Sequence, residues 1–174
     1  MIYVDTSVIV AALDPMDPRR DEARKTLETH EDKVVSELVV TELASILARQ
    51  HKLLTTVKDK LEISERATLI AIILYIMKRF NFKYINVKGY SRSPIGRFYK
   101  PLAYTIELTG KLRLKTLDLL HLAYIKAMKE QGAQIHALLT ADADFKNSEE
   151  DIRKALGITI ELLAPLRPEG VKIP

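Results

Sequence analysis

Short apolar runs alternate with longer segments of helical periodicity along this chain, and this alternation restricts its fold more than any other feature. A buried run at residues 2–4 is followed by apolar positions spaced three and four apart, a spacing typical of helices. The same succession repeats further along the chain. Strands that alternate with helices in this way form parallel sheets. We therefore predict an α/β protein with a central parallel sheet.

The apolar periods also give approximate bounds for each element. The predicted strands cover residues 2–4, 33–36, 83–87, 135–140 and 158–163. The predicted helices cover residues 7–13, 19–30, 37–50, 61–80, 117–131 and 143–156. Thr116 is the expected N-cap of the helix over 117–131, and Gly132 is its expected C-terminal stop. The helix over 61–80 is apolar almost all round in its second half, so we expect it to be deeply buried or to lie at a subunit interface.

The length and composition are those of one globular domain, which we place at residues 1–165 with a short tail at 166–174. The absence of cysteine excludes disulfides and thiolate metal sites. The longest apolar run, at 69–77, is far shorter than the roughly 20 residues that span a bilayer. We therefore expect a cytoplasmic protein with no membrane association. Its net charge of +4 slightly favours an anionic partner.

Two acidic residues follow apolar strands directly. Asp5 comes after the run at 2–4, and Asp142 comes just after the run at 135–140. Ligands of open α/β sheets bind beyond the carboxyl ends of the strands, so both side chains are expected at a functional edge. Each acid also has a simpler interpretation, since an aspartate in this position commonly caps the following helix.

Two further acids lie on the apolar faces of predicted helices. Glu42 comes three residues after Val39 and four before Ile46, inside the apolar stripe. Asp118 precedes Leu122 by four residues and so faces the sheet, although it would also stabilise a helix N-terminus. Charged residues rarely face a core unless they are paired or bound to something. Glu42 has no evident cation near it in sequence, which makes its position the hardest to explain as structural.

Four carboxylates that converge at one sheet edge would repel one another strongly unless cations neutralise them. An all-oxygen site without cysteine selects the hard ions Mg²⁺ or Mn²⁺. Such an ion keeps several waters, one of which can become the nucleophile for phosphodiester cleavage. Hydroxyl side chains beside the acids are expected to orient the carboxylates or to hold water: Thr6, Ser7 and Thr140.

Four blocks of the sequence resemble the PIN-domain ribonuclease family, and within it the VapC-like toxins of toxin–antitoxin pairs. They are YVDTSVIVAAL at the N-terminus, SELVVTELASIL around Glu42, LDLLHLAYIKA around Asp118 and LLTADADF after the late strand. The blocks stand in the family's order and together span most of the chain. The resemblance implies a three-layer α/β/α fold with a central parallel sheet. It also implies a Mg²⁺- or Mn²⁺-dependent endoribonuclease, acting as a toxin or in RNA processing.

The resemblance further implies roles for individual residues. The family's catalytic, metal-holding acids fall on Asp5, Glu42, Asp118 and Asp142. Its small hydroxyl falls on Thr6, and Asp144 is a weaker candidate beside the fourth acid. The implied partners are an RNA substrate, an antitoxin and a second copy of the chain, for which the apolar helix over 61–80 would supply a contact.

The chain departs from the compact toxins in the segment at 78–115 and in the spacing between Asp118 and Asp142, which are both longer than usual. The segment interleaves cations with aromatic residues. Cations neutralise phosphates and aromatic rings stack on unpaired bases, whereas the alternative is a solvated loop whose aromatics enter the core. We predict that the segment contacts RNA through Lys88, Tyr90, Arg92, Arg97, Tyr99 and Lys100.

Two other functions fit parts of the sequence. An aspartyl-phosphate phosphatase would use Asp5 as its nucleophile, but such enzymes have a second aspartate where this chain has Ser7. A PIN-like scaffold with an idle acidic site would bind RNA or protein without cleaving it.

His121 lies three residues after Asp118 and is expected to be an ordinary packed or surface histidine, so it receives no role.

Overall fold

A computed structural model of the chain describes residues 1–163, so the predicted tail at 166–174 lies outside the described residues. The strands are β1 (Ile2–Val4), β2 (Lys33–Val35), β3 (Phe82–Tyr84), β4 (Tyr90–Ser93), β5 (Gly96–Tyr99), β6 (Ala137–Thr140) and β7 (Thr159–Leu162). The helices are α1 (Thr6–Leu13), α2 (Arg20–Thr29), α3 (Glu37–Ala48), α4 (His51–Leu61), α5 (Glu65–Arg79), α6 (Lys100–Thr109), α7 (Thr116–Glu130), α8 (Ala143–Asn147) and α9 (Glu149–Leu156).

Five strands form one parallel sheet in the order β3-β2-β1-β6-β7, and helices flank it, so the fold is a three-layer α/β/α sandwich. The predicted fold class is confirmed. β1 lies at the centre, where Tyr3 is in register with Val34 on one side and Leu138 on the other. Strands covered on both faces need apolar side chains in both directions, which is why the central strands read as continuous apolar runs.

The sheet and the helices α1 and α7 supply most of the core. Tyr3, Ile9, Leu122 and Leu138 are fully buried. On α7 the buried positions extend round much of the helix, and α6 packs closely against it. Among the described residues no helix is long and apolar enough to cross a membrane.

Three predicted helix boundaries are wrong. The helix expected over 61–80 is preceded by a separate helix, α4, and begins only at Glu65, where the Ser64 side chain accepts a hydrogen bond from Ala67 N. The single helix expected over 143–156 is two helices that meet at Ser148. Lys115, not Thr116, is the N-cap of α7, and it makes no side-chain capping bond.

The second half of α5 is not deeply buried, contrary to one of the two expectations for it. Ile70, Leu74 and Tyr75 are 48%, 62% and 67% exposed. Their apolar surface therefore faces solvent in the isolated chain, which leaves the subunit interface as the expectation that still applies.

Gly132 follows the end of α7, as predicted. Its φ of +95° is a backbone conformation that residues other than glycine rarely adopt.

The long segment at 78–115 contains β3, an antiparallel hairpin of β4 and β5, and α6. Glu37, at the start of α3, ties it to the domain. Its carboxylate accepts a hydrogen bond from Val87 N at 2.9 Å, and the Tyr99 hydroxyl lies 3.1 Å away. The same hydroxyl lies 2.7 Å from the Val87 carbonyl oxygen. The base of the hairpin is thus fixed to the start of α3 by hydrogen bonds.

Candidate active site

Asp5 is held where β1 ends, at the carboxyl edge of the sheet. It caps α1, because its carboxylate accepts from Ser7 N, and its backbone N–H donates to Leu139 of the neighbouring strand at 2.9 Å. Its Oδ2 atom accepts hydrogen bonds from the Ser7 hydroxyl at 2.6 Å and the Thr140 hydroxyl at 2.7 Å. The capping interpretation is therefore confirmed, and the same side chain lies at the sheet edge where a functional role is expected.

Glu42 and His121 complete a cluster around Asp5. Thr6 donates a hydrogen bond to Glu42 Oε2, and His121 Nε2 lies 3.1 Å from the same oxygen and 3.4 Å from Asp5 Oδ1. The other ring nitrogen of His121 lies 3.0 Å from the Tyr3 hydroxyl. His121 is only 3% exposed, so these contacts are made away from solvent.

The charges in this cluster depend on one another. Burial lowers the pKa of His121, but the hydrogen bond to Glu42 and the charge of Asp5 outweigh burial and raise it overall. Burial raises the pKa of Glu42, but the hydrogen bond from His121 and its charge lower it overall, with Thr6 contributing. The imidazolium form of His121 and the carboxylate form of Glu42 therefore stabilise each other.

A second cluster contains Asp118, Asp142 and Asp144, whose carboxylates each place one oxygen within 4.8 Å of the others. Asp142 caps α8 by accepting from Asp144 N at 2.8 Å, and the exposed Lys115 pairs with Asp144 at 2.8 Å. Asp118 is different, because its buried Oδ2 atom has no hydrogen-bond partner among residues 1–163. The second cluster therefore contains a carboxylate oxygen that the described protein groups leave unsatisfied.

Burial and then the charge of Asp142 raise the pKa of Asp118, and the charge of Asp5 contributes in the same direction. The two clusters therefore share one electrostatic environment. A buried carboxylate oxygen without a partner is costly, and a bound cation removes that cost. Carboxylate oxygens are the donors that hard divalent ions prefer. The residues present therefore fit a divalent metal ion, with Asp118 as its best-prepared ligand.

Comparison with known proteins identifies the family to which this arrangement belongs. The profile of the PIN domain family matches residues 2–150, which include both clusters. The chain belongs to the PIN domain family. PIN domains are generally nucleases that use divalent metals, in agreement with the donor set. No curated protein matches the chain in sequence.

Solved structures with the PIN fold include VapC20 of Mycobacterium tuberculosis, a sarcin–ricin-loop-cleaving toxin, at 17% identity and a TM-score of 0.55 over 85% of this chain and 95% of that one. VapBC2 of Rickettsia felis, bound to a promoter DNA fragment, is 19% identical with a TM-score of 0.50 over 94% and 100%. A toxin–antitoxin complex of Klebsiella pneumoniae is 19% identical with a TM-score of 0.50 over 83% and 90%. At these identities the similarity shows the fold.

The structure divides the acids of this PIN domain differently from the single pocket that the sequence suggested. Asp5 and Glu42 lie with His121, whereas Asp118 and Asp142 lie with Asp144. Asp144 was expected to have a supporting place and is instead a full member of the second group. The hydroxyls expected beside the acids do make contact with them: Thr6 with Glu42, and Ser7 and Thr140 with Asp5.

His121 is the site residue to which the sequence analysis assigned no role. It is a packed histidine as expected, but it is packed between two carboxylates. Its position on the same helical face as Asp118, three residues away, was the available signal. That signal was weak because the neighbouring Leu119 and Leu122 make the same face look like ordinary core.

The residues expected to contact RNA fall into two groups. Lys100 pairs with Glu130 at 3.4 Å, and Tyr99 is fixed near Glu37. Glu130 lies at the other end of α7 from Asp118, about 18 Å away along the helix axis. The remaining four are exposed on or beside the β4–β5 hairpin: Lys88, Tyr90, Arg92 and Arg97.

Replacing His121 with leucine should destabilise the domain by about 3 kcal/mol, because removal of one partner leaves buried carboxylates uncompensated. Mn²⁺ should restore much of the loss, since a cation also neutralises Asp5 and Glu42. Urea unfolding with and without Mn²⁺ measures both effects. His51→Leu, at an exposed position on α4, is the matched control and should change little. Equal stabilities of the two variants would contradict this role for His121.

Proposed function

We propose that this PIN domain is a Mg²⁺- or Mn²⁺-dependent endoribonuclease that hydrolyses RNA phosphodiester bonds. The observation that carries the proposal is the buried Asp118 oxygen, which has no hydrogen-bond partner within residues 1–163 and lies among further acids at the carboxyl edge of the sheet. This arrangement favours an active enzyme over an idle scaffold, because the Asp118 side chain makes no hydrogen bond or ion pair among residues 1–163, whereas the structural acid Glu37 accepts hydrogen bonds from Val87 N and the Tyr99 hydroxyl. An aspartyl-phosphate mechanism is not favoured, because Ser7 occupies the position where such phosphatases have a second aspartate.

The proposed metal ligands fall into two groups: Asp118 and Asp142 lie with Asp144, whereas Asp5 and Glu42 lie with His121. In such a site a divalent cation activates water and neutralises charge that develops on the scissile phosphate. Ser7 and Thr140 hold one oxygen of Asp5, so the other stays directed at His121. Thr6 fixes the Glu42 carboxylate in the same way. These hydroxyls set the orientation of the acids before any substrate arrives.

The neighbouring structures support a role in a toxin–antitoxin pair. VapC20 cleaves the sarcin–ricin loop, and two further neighbours carry a VapBC or toxin–antitoxin description. We infer that this chain is the toxin of such a pair. An apolar groove of about 650 Å³ between α1, α3, α4 and α5 is a suitable place for an amphipathic antitoxin segment, with Leu13, Leu43, Leu53 and Tyr75 in its lining.

We also propose that the chain forms a homodimer through the outer face of α5. Ile70 and Leu74 lie four residues apart on that face and are about half exposed or more. A contiguous exposed apolar patch on a protein surface is one sign of an interface. The patch is offset from the groove, which faces the other side of the same helix through Ala71, Ile72 and Ile76.

Asp118→Asn should abolish Mg²⁺- or Mn²⁺-dependent cleavage of a mixed RNA pool, because the amide cannot supply the anionic oxygen. The fold should persist, since asparagine has nearly the same shape. Gel analysis of the RNA, with calorimetric titration of Mn²⁺, measures cleavage and ion binding separately. Asp59→Asn, at an exposed position on α4, should behave as the native chain. Full cleavage by Asp118→Asn would overturn the proposed function.

Expression of the native chain should arrest bacterial growth, and co-expression of the product of an adjacent antitoxin-like gene should restore it. Leu53→Asp places a charge in the apolar groove and should prevent the rescue without reducing toxicity. Leu102→Asp, on α6, changes a leucine of similar exposure outside the groove and should still be rescued. Growth curves measure the outcome, and rescue of Leu53→Asp at the native level would exclude the groove.

Leu74→Glu should convert the dimer to a monomer, because the carboxylate would be desolvated at the interface. Sedimentation velocity of the purified chain over a range of concentrations reports the oligomeric state. Met16→Glu, at a more exposed apolar position away from α5, provides the control. A native chain that is monomeric throughout, or a Leu74→Glu variant that still dimerises, would refute this interface.

A further inference from the structure

The β4–β5 hairpin lies in the most one-sided charge distribution of the chain. Residues 78–106 contain seven lysines and arginines and no aspartate or glutamate. Acids from other elements neutralise three of these cations: Arg79 with Glu28, Lys83 with Asp32, and Lys100 with Glu130. The hairpin arginines have no such partner among residues 1–163. Of the four cations that remain, Arg92 and Arg97 are on the hairpin, Lys88 lies just before it and Lys78 lies at the end of α5.

Arg92 and Arg97 are directly opposite each other in the hairpin register, and both are exposed. Like charges at directly opposed positions destabilise a strand pair. A single guanidinium on a surface needs no explanation, but two that face each other form a site that an anion would stabilise. Guanidinium groups bind phosphate oxygens through two parallel hydrogen bonds, a geometry that lysine cannot reproduce.

An aromatic ring lies next to this pair on the same face of the ribbon. Tyr90 is two residues before Arg92, so both side chains leave the strand on one side. The Arg97 guanidinium lies 4.4 Å from the centre of the Tyr90 ring, and Tyr90 is still 58% exposed. One arginine is thus held over the ring while much of the ring surface is accessible to another planar group.

The geometry of the hairpin is fixed at both ends. At its base the Tyr90 and Tyr99 rings meet edge to face at 6.2 Å, and Tyr99 contacts Tyr124 of α7 in the same way at 6.3 Å. At its tip the Ser93 hydroxyl donates to the Gly96 carbonyl and accepts from Ile95 N. The face formed by Tyr90, Arg92 and Arg97, here called the hairpin face, is therefore preorganised rather than a flexible basic loop.

We propose that the hairpin face binds single-stranded RNA and so selects the substrate, an inference that rests on the proposed ribonuclease function. The paired guanidinium groups of Arg92 and Arg97 hold backbone phosphate, and Tyr90 stacks on an unpaired base. An exposed aromatic ring beside a pair of arginines suits a strand with accessible bases, because the bases of a duplex are already stacked on each other. Lys88, also exposed, adds charge near the base of the hairpin.

The test uses the cleavage-deficient Asp118→Asn chain, so that binding is measured without turnover. Fluorescence anisotropy with a short mixed-sequence single-stranded RNA gives affinity as a function of salt. Combining Arg92→Gln with Arg97→Gln should reduce the slope of log affinity against log salt by about 1.4, the value for two lost phosphate contacts on a single strand. Combining Arg49→Gln with Arg66→Gln removes the same charge from exposed positions elsewhere and should leave the slope nearly unchanged.

The stacking part of the proposal has its own pair of variants. Tyr90→Ala should weaken RNA binding about tenfold, whereas Tyr90→Phe should retain it, because the ring and not the hydroxyl stacks. A matched RNA duplex should bind more weakly than the single strand and respond little to either change. Equal binding of single strand and duplex, or equal effects of the hairpin and control arginine pairs, would overturn the proposal. Hairpin variants that lose binding to vesicles of anionic phospholipid but keep the native affinity for RNA would overturn the proposal as well.

Cleavage assays in the native background separate this proposal from the function on which it rests. A chain that cleaves RNA with unchanged kcat/KM after both hairpin arginines are replaced refutes the hairpin face and supports the nuclease. A chain that never cleaves RNA but loses RNA binding in the hairpin variants refutes the nuclease and supports the hairpin face. A higher KM with little change in kcat in the hairpin variants supports both.

Discussion

The pairing of β1 with β6 is the constraint on which the rest of this structure depends. The Asp5 N–H donates to the Leu139 carbonyl oxygen, and this register places Thr140 so that its hydroxyl reaches the Asp5 carboxylate. The two residues are 135 positions apart in the chain. A one-residue slip of either strand would turn every side chain to the opposite face and separate them. The core and the acidic site therefore depend on the same hydrogen-bond ladder.

Charge balance explains how the domain tolerates so many acids at one edge. Around Asp5 and Glu42 the protein supplies its own compensation, with one buried histidine and three hydroxyls. Around Asp118 it supplies much less, because Lys115 reaches only Asp144 from an exposed position. The site thus has one half that is complete in the protein alone and one half prepared for a cation. This asymmetry is the strongest physical argument for metal binding.

The sequence predicted the features that depend on local pattern and strand order. The parallel sheet, and Asp5 and Asp142 beyond strand ends, followed from apolar runs and the rule that strands end at a common edge. Which acids group together could not be predicted, because it depends on how α3 and α7 cross the sheet. His121 was missed for the same reason, since its carboxylate partners belong to other elements. The break at Ser148 and the exposed face of α5 likewise reflect tertiary packing rather than local propensity.

The Asp118 oxygen, which lacks a partner in the part of the chain that the structure describes, also has a consequence for the stability of the protein. A cation that binds the folded chain and not the unfolded one increases the free energy of unfolding. The increase grows with the logarithm of the ion concentration relative to Kd. Cellular proteases degrade the unfolded fraction, so ion supply would govern how long each molecule survives. The same side chain would then couple the lifetime of the protein to the divalent-ion status of the cell.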